Sequence, residues 1–362
     1  MVILHIAKIT NSKFSGVCVV VPQHILAQSK DNDVALLNIN QVVIDGIENQ
    51  FHAGSNFEIE ELEHPFNKPD IVVFHECYCI EYISIYRQLK TKRIPYVIIP
   101  HGELGLEAQR RKHLKKVIAN NTIFKSFIKG ALAIQCLSER EKEGTRFGKK
   151  RIVATNGIFI PEEVKTVFNS NEVHFVYIGR LDQYHKGLDL LIEAISQKAD
   201  FLRECGCVFS IYGPHTEGRG EKLKDIIELN KLSDIVLLHD AVSGETKKEV
   251  LLNNDVFIQT SRFEGMPLGI LEAMSYGIPC LVTQGTTLGE AIETTNAGWM
   301  AETTASSIAD TIEKAVKSRG KYYEFGRNSR KYVQNNYSWD VIASETVRLY
   351  SEMTHQMRIA DR

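Results

Sequence analysis

At 362 residues the chain is long enough for two α/β domains of ordinary size, each burying its own sheet, and unusually long for one. Hydrophobic residues at 43% and charged residues at 24% are proportions of a soluble globular enzyme, and a formal net charge of −2 excludes whole-molecule attraction to nucleic acid. The seven cysteines are odd in number, and the close pairs Cys77/Cys79 and Cys205/Cys207 are C-x-C rather than the C-x-x-C of zinc or redox sites, so reduced structural thiols in a cytosolic protein are expected.

Met1-Val-Ile-Leu-His-Ile-Ala is interrupted by His5 and Lys8 before a signal-peptide core could form, and reads as a first buried strand. No later apolar run approaches the roughly 18 residues of a membrane-spanning helix. Short β-branched runs then alternate with longer amphipathic stretches, the pattern of parallel sheets covered by helices on both faces. In the first half these runs are Ile3 to Ile6, Ile71 to Phe74, Tyr96 to Ile99 and Leu132 to Cys136. In the second they are Phe175 to Ile178, Val208 to Tyr212, Ile235 to Leu238, Val256 to Gln259 and Cys280 to Val282. Leu188, Leu191, Ile192 and Ile195, spaced i, i+3, i+4, i+7, predict a helix between two of them. The turn signal Asn156-Gly157-Ile-Phe-Ile-Pro161 marks a boundary between a domain over 1–160 and a second from 161. No solenoid repeat or low-complexity tail is present.

Two segments carry chemistry. In Gly179-Arg180-Leu-Asp-Gln-Tyr-His-Lys186-Gly187, two cations lie six residues apart between a strand and a helix, where open α/β sheets bind ligands. That suits a diphosphate: the glycines permit close approach and the helix N-terminus adds partial positive charge. Two solvated cations flanking a turn would read the same way. In Glu264-Gly265-Met266-Pro267-Leu268-Gly269-Ile-Leu-Glu272, Pro267 suits a first helical turn and Gly277 a C-terminal cap, placing Glu264 before the helix and Glu272 in its second turn. Carboxylates beside unpaired amides are suited to gripping sugar hydroxyls. A capping glutamate and an exposed helical one are the plainer alternative. A helix would separate the two by roughly 12 Å, beyond the roughly 5–9.5 Å of a glycosidase pair.

In this order and spacing, Gly179-Arg180…Lys186-Gly187 and Glu264…Glu272 resemble the signature of the retaining glycosyltransferases of family 4, and Gly277-Ile278-Pro279 matches their downstream G-x-P. The likeness extends to Pro100-His101-Gly102-Glu103-Leu104, where the family has Met in place of Glu103. It also takes in Ser138-Glu139-Arg-Glu141, Asn156-Gly157 and Asn336-Tyr-Ser338-Trp339-Asp340. It therefore covers nearly the whole chain and resembles bacterial surface-polysaccharide glycosyltransferases.

The resemblance implies the α/β GT-B fold. Two Rossmann-like parallel-sheet domains would face each other across a cleft, acceptor-side over 1–160 and nucleotide-sugar-binding over 161–338, with a C-terminal helix over 339–362 returning to the first. It implies a UDP- or GDP-linked sugar as donor substrate, with no cofactor and no metal. Arg180 and Lys186 would hold the diphosphate, Glu272 the ribose, and Glu264 with the Gly265, Met266, Pro267 and Leu268 segment the sugar. Gly179, Gly213 and Ala241 would line the donor site, and Gly16 would stand in for a more usual Gly-Gly pair. His101 would bond the donor sugar from across the cleft, making His101, Arg180, Lys186 and Glu264 the catalytic set. Fixed cations and helix dipoles would stabilise the departing diphosphate without a metal, and Asp31-Asn-Asp33 reads as a loop. The expected acceptor is a hydroxyl of a glycan or lipid-linked molecule in capsule, O-antigen or exopolysaccharide synthesis. Arg110 to Lys129 contains no acidic residue, so it could dock a cytoplasmic protein on the anionic inner face of the plasma membrane as readily as form a solvated helix face.

Asn11 to Gly16 offers no G-x-G-x-x-G turn for a dinucleotide oxidoreductase. A sugar-nucleotide epimerase of the same fold would leave both motifs unexplained. A non-catalytic donor-binding partner or regulatory subunit with the same fold is the remaining alternative.

Overall fold

The computed structural model describes residues 1–12, 15–54, 57–105, 109, 113–169, 171–264 and 266–360. It divides into two compact units, one of Met1–Gly157 with Trp339–Arg362 and one of Ile158–Ser338.

The first unit holds seven strands: β1 (Val2–Ala7), β2 (Asp33–Asn38), β3 (Gln50–His52), β4 (Ile71–His75), β5 (Tyr96–Ile99), β6 (Ala133–Cys136) and β7 (Arg151–Val153). Their order is β3-β2-β1-β4-β5-β6-β7 and every pairing is parallel. The second holds β8 (Val173–Ile178), β9 (Cys207–Tyr212), β10 (Val236–His239), β11 (Val256–Gln259), β12 (Cys280–Thr283) and β13 (Gly298–Ala301), in the order β10-β9-β8-β11-β12-β13 and again parallel. Strand order reverses between β1 and β4 in one sheet and between β8 and β11 in the other. These are the switch points where doubly wound sheets open a crevice at the carboxyl ends of their strands.

The core strands are continuous apolar runs because helices cover both faces. In the first unit Leu4, Ile6, Val72, Phe74 and Ile98 pack on one side, and Ile3, Ala7, Val73, Val97 and Ile99 on the other. The last helix, Trp339–Ala360, belongs to this second layer through Tyr350 and Met353, and the Tyr350 hydroxyl donates to Gln135 Oε1 at 2.5 Å. A Cβ on Gly157 would lie 2.5 Å from the Trp339 indole and 2.7 Å from its Cα, so the Asn-Gly pair is required by close packing at the start of that helix.

Four strands go beyond the sequence expectation. β3 and β7 are three-residue edge strands and β13 is only Gly-Trp-Met-Ala, each too short for a periodicity signal. β2 does contain an apolar run, Val34 to Leu37, which the flanking Asp33 and Asn38 obscure.

Candidate active site

The loop after β8 and the loop after β11 meet at the second switch point, and one glycine pins them. Gly187 has φ +65°, and a Cβ there would stand 1.9 Å from the Thr260 carbonyl oxygen. The Thr260 hydroxyl donates back to the Gly187 carbonyl at 2.8 Å. The loop before it is wound by Asp182, whose carboxylate accepts the His185 N–H at 2.8 Å and whose carbonyl accepts the Lys186 N–H at 3.0 Å. Gly187 then opens the helix Leu188–Gln197, and the first-turn Asp189 takes a two-pronged pair from Arg262 at 2.7 and 2.8 Å. Arg262 also lies 4.3 Å from the Tyr184 ring. This clamp holds the two loops side by side.

The clamp brings Lys186 onto Glu264, and the two form an ion pair with only 14% and 12% of their side chains exposed. Glu264 Oε1 also accepts from Ser261 Oγ at 3.3 Å and Gln259 Nε2 at 3.4 Å. The Glu264 N–H donates to the Gly285 carbonyl at 2.8 Å. Arg180 is exposed and makes no ion pair among the described residues, while its carbonyl accepts the Tyr177 hydroxyl at 2.7 Å. Gly179 and Gly213 are demanded by packing: a Cβ on the first would meet the Tyr177 hydroxyl at 2.7 Å, and on the second the Gly179 carbonyl at 2.3 Å.

Pro267 directly precedes the helix Leu268–Ser275 rather than sitting in its first turn, and its carbonyl accepts the Ile270 and Leu271 amides. The expectation of free amides needs correcting at Leu268, whose N–H donates to the Met266 carbonyl at 3.0 Å. Pro267 has none to offer, and the Gly269 amide makes no hydrogen bond among the described residues. Gly265 lies outside the described residues. The Leu268 side chain is exposed, and Met266 packs partly against the core. Gly277, at φ +77°, ends the helix with the Ile278 N–H reaching back to the Ala273 carbonyl at 3.2 Å. Glu272 lies in the second turn and pairs with Lys247 of the helix Gly244–Asn253. Ala241 is exposed beyond β10. Near it the Tyr212 and His239 rings stack at 4.4 Å, and burial lowers the His239 pKa.

In the first unit His101 stands in a tight turn after β5. His101 at φ +47° and Gly102 at φ +87°, with the Glu103 N–H bonded to the Pro100 carbonyl at 2.9 Å, form a type I′ turn. Left-handed backbone is uncommon for a histidine, so something must hold it. Glu141 does: its carboxylate accepts the Gly102 N–H at 2.9 Å and the Leu137 N–H at 2.7 Å. Ser138 meanwhile caps the helix Glu139–Gly144 by accepting the Glu141 N–H. The Ser-Glu-x-Glu segment is thus a clasp on the His101 turn. Glu103 turns inward and accepts the Cys77 N–H at 2.5 Å; burial raises its carboxyl pKa. Gly16 is the first residue of the helix Gly16–Gln28 and faces open space.

His101 Nε2 bonds His75 Nδ1 at 3.0 Å, His75 Nε2 bonds His5 Nδ1 at 2.8 Å, and His5 Nε2 bonds Gln28 Oε1 at 2.9 Å. Burial drives the pKa of His5 and His101 down to about 3, that of His24 to about 4, and that of His75 well below its ordinary value. The array is therefore neutral near pH 7.

Of the basic run, Arg110 to Lys112 lie outside the described residues. Lys116 sits 5.1 Å over the Tyr78 ring. Beyond it Leu104, Val117, Ile128 and Phe147 line a pocket of about 780 Å³ with Lys125, Lys129, Arg146 and Lys149. No described helix is long and apolar enough to cross a membrane.

Sequence reasoning missed Lys247, the Arg262–Asp189 clamp, the Tyr212–His239 stack and the histidine array. Only the array left a signal, a histidine inside each of two otherwise apolar strand runs.

Residues 160–332 match the family model of "Glycosyl transferases group 1". The second unit is a group 1 glycosyltransferase domain. An uncharacterized glycosyltransferase, MJ1607, of Methanocaldococcus jannaschii is 29% identical over 181 residues, covering 50% of this chain and 45% of that protein. The putative colanic acid biosynthesis glycosyltransferase WcaL of Escherichia coli is 28% identical over 205 residues, covering 53% and 47%. The chain thus spans about half the length of these curated relatives. Among solved structures, Anabaena Alr3699/HepE in complex with UDP aligns over 97% of this chain and 100% of that one, with a TM-score of 0.68 at 15% identity. The fold is GT-B, two Rossmann-like parallel-sheet units.

Proposed function

We propose that the chain is a group 1 glycosyltransferase, a retaining, metal-independent enzyme that moves a hexosyl or N-acetylhexosaminyl group from a UDP- or GDP-linked donor to a hydroxyl of a glycan or lipid-linked acceptor. The observation that carries the reading is the convergence of Lys186, Glu264 and the Gly187 helix start at the second switch point, with Arg180 beside them unpaired among the described residues. A diphosphate at this helix N-terminus meets one guanidinium, one ammonium and the partial positive charge of the helix start. Glu264, displaced from Lys186 by phosphate, is then free to accept from sugar hydroxyls, and Glu272 can exchange Lys247 for ribose. In the reaction the acceptor oxygen bonds to the anomeric carbon as the bond to the diphosphate breaks, and the acceptor proton passes to the leaving phosphate. Arg180 and Lys186 stabilise the charge that builds there, worth several kcal/mol when such groups are preorganised. His101 contributes a hydrogen bond to the donor sugar. The putative role of WcaL in colanic acid biosynthesis supports a role in polysaccharide synthesis, and the UDP complex of HepE supports a uridine donor first among those to try.

A thermal-shift screen of UDP, GDP and their sugars tests the reading. A donor at 100 times its Kd should stabilise the unit it binds by about 2.7 kcal/mol, or roughly 5–10 °C. Arg180→Ala, Lys186→Ala and Glu264→Ala should each remove that shift and most transfer, Arg180→Ala with unliganded melting near wild type. Full transfer in all three would sink the site assignment.

The pocket at Lys125, Lys129, Arg146 and Lys149, with Ile118 and Ile123 exposed nearby, supports peripheral contact with an anionic membrane at the cytoplasmic face. Sedimentation with anionic liposomes should capture the protein at low salt and release it as salt rises; failure to bind at low salt would exclude the contact.

A further inference from the structure

The array Gln28–His5–His75–His101 runs from the end of the first helix, across β1 and the end of β4, to the turn after β5. His5 and His75 are fully buried, Gln28 is 1% exposed, and the two adjacent ring pairs are inclined by only 20°. A neutral imidazole carries one N–H and one lone pair. Each of the two nitrogen–nitrogen contacts needs a single proton, so the three rings have only two mutually consistent arrangements. If the Gln28 oxygen accepts from His5 Nε2, every ring carries its proton on Nε2 and His101 is left with a bare Nδ1. If the Gln28 amide is reversed, every ring carries its proton on Nδ1 and His101 presents a donor. His101 Nδ1 makes no hydrogen bond among the described residues, so it is the open end of the array.

We infer that Gln28, His5 and His75 are positioning residues that hold His101 in the Nε2–H tautomer, so that Nδ1 is a hydrogen-bond acceptor for a hydroxyl of the donor sugar. The inference rests on the proposed role of His101 in donor binding, and it adds a substrate class. A bare ring nitrogen accepts from a hydroxyl and repels a carboxylate, which favours neutral hexoses or N-acetylhexosamines over uronic acids at that position. Burial supports the assignment by keeping the rings neutral. The array is not a proton sink, because it ends on an amide that cannot take up a proton at neutral pH.

Histidine ¹⁵N–¹H correlation spectra of the uniformly ¹⁵N-labelled full chain report the tautomer directly, with His5, His75 and His101 assigned by single substitution. All three should be Nε2–H at pH 7, and an Nδ1–H or doubly protonated His101 overturns the inference. In Gln28→Met the amide oxygen is gone, and His101 should shift to a mixture of tautomers. Transfer kcat should fall about tenfold, the lower end of what loss of an outer-shell orienting partner costs, with the donor KM changed less than threefold. An unchanged His101 spectrum in a folded Gln28→Met overturns Gln28 as the setting group, and if that variant does not fold the wild-type spectrum decides. The spectra need no substrate, so they can fail while donor binding stands. Donor binding that survives His101→Ala unchanged would defeat the site reading while leaving the tautomer result intact.

Discussion

Gly187→Ala is expected to be among the most destabilising glycine substitutions in the second unit. An L-residue at φ +65° costs about 1–2 kcal/mol in backbone energy alone. Its Cβ would also stand 1.9 Å from the Thr260 carbonyl, a backbone atom that cannot rotate away, so the two loops must part at a cost of about 1–3 kcal/mol. Parting them breaks the Thr260 hydrogen bond to Gly187, about 1 kcal/mol more. The total, roughly 3–6 kcal/mol, corresponds to a fall in Tm of roughly 6–24 °C for a unit of this size. Two controls in the same unit separate the contributions. Gly244 has φ +56° with nothing within 4 Å of a Cβ, so Gly244→Ala carries only the backbone cost; Gly320 has open space and no positive φ, so Gly320→Ala should melt near wild type. Differential scanning calorimetry of the three variants is the assay. Equal melting of Gly187→Ala and Gly244→Ala would refute the pinning of the two loops at Thr260.

Glu141→Ala should free the Gly102 and Leu137 amides from a charged acceptor, costing about 1.5–3 kcal/mol in first-unit stability. Glu141→Gln, which keeps one acceptor oxygen, should recover part of it; equal urea midpoints for the two would argue against the clasp. The buried histidines make the first unit acid-sensitive. Their folded pKa values, about 3 for His5 and His101 and about 4 for His24, lie below the ordinary 6.5, so the unfolded chain binds more protons between those limits. Stability is therefore complete above about pH 6.5 and lost as pH falls. In Trp299→Phe the remaining Trp339 fluorescence isolates the first unit, and a midpoint unmoved between pH 7 and 4.5 would contradict this. Lys247→Met removes the partner of Glu272 without touching the Lys186 pair. Under the proposed reading the donor KM should change severalfold and kcat little, and steady-state kinetics showing a loss confined to kcat would reject that role for Glu272.

Much of the second unit was legible because its chemistry lies in contiguous loops. Gly179 to Gly187 and Glu264 to Glu272 each follow a buried strand, and parallel topology places both loops at one end of one sheet. The hydrogen bonds that join them were not legible, since Asp189 and Arg262 are ordinary surface residue types far apart in sequence. Lys247 is likewise one lysine on a polar helix until the fold sets it against Glu272. In the first unit Pro100-His101-Gly102 announced a turn, but its support comes from Glu141, some forty positions on. The histidines at 5 and 75 carry the clearest unread signal: a titratable ring inside an apolar strand run must either find partners or destabilise the core.

The same physics explains why the second-unit site is built from pairs. A lysine and a carboxylate nearly buried beside each other would each be costly alone, and together they hold the loops in place before any ligand arrives. Under the proposed reading, a phosphate entering at the Gly187 helix start would offer Lys186 a stronger acceptor than Glu264 does, and by the same exchange would release the carboxylate for sugar hydroxyls. Donor binding and site assembly would then be one step, in which Arg180, exposed and unpaired among the described residues, supplies the cation that needs no displacement. This predicts an order of effects. Arg180→Ala should weaken diphosphate binding with little change in unliganded stability, whereas Lys186→Met should both weaken binding and destabilise the second unit by leaving the Glu264 carboxylate buried with Ser261 and Gln259 for side-chain partners among the described residues.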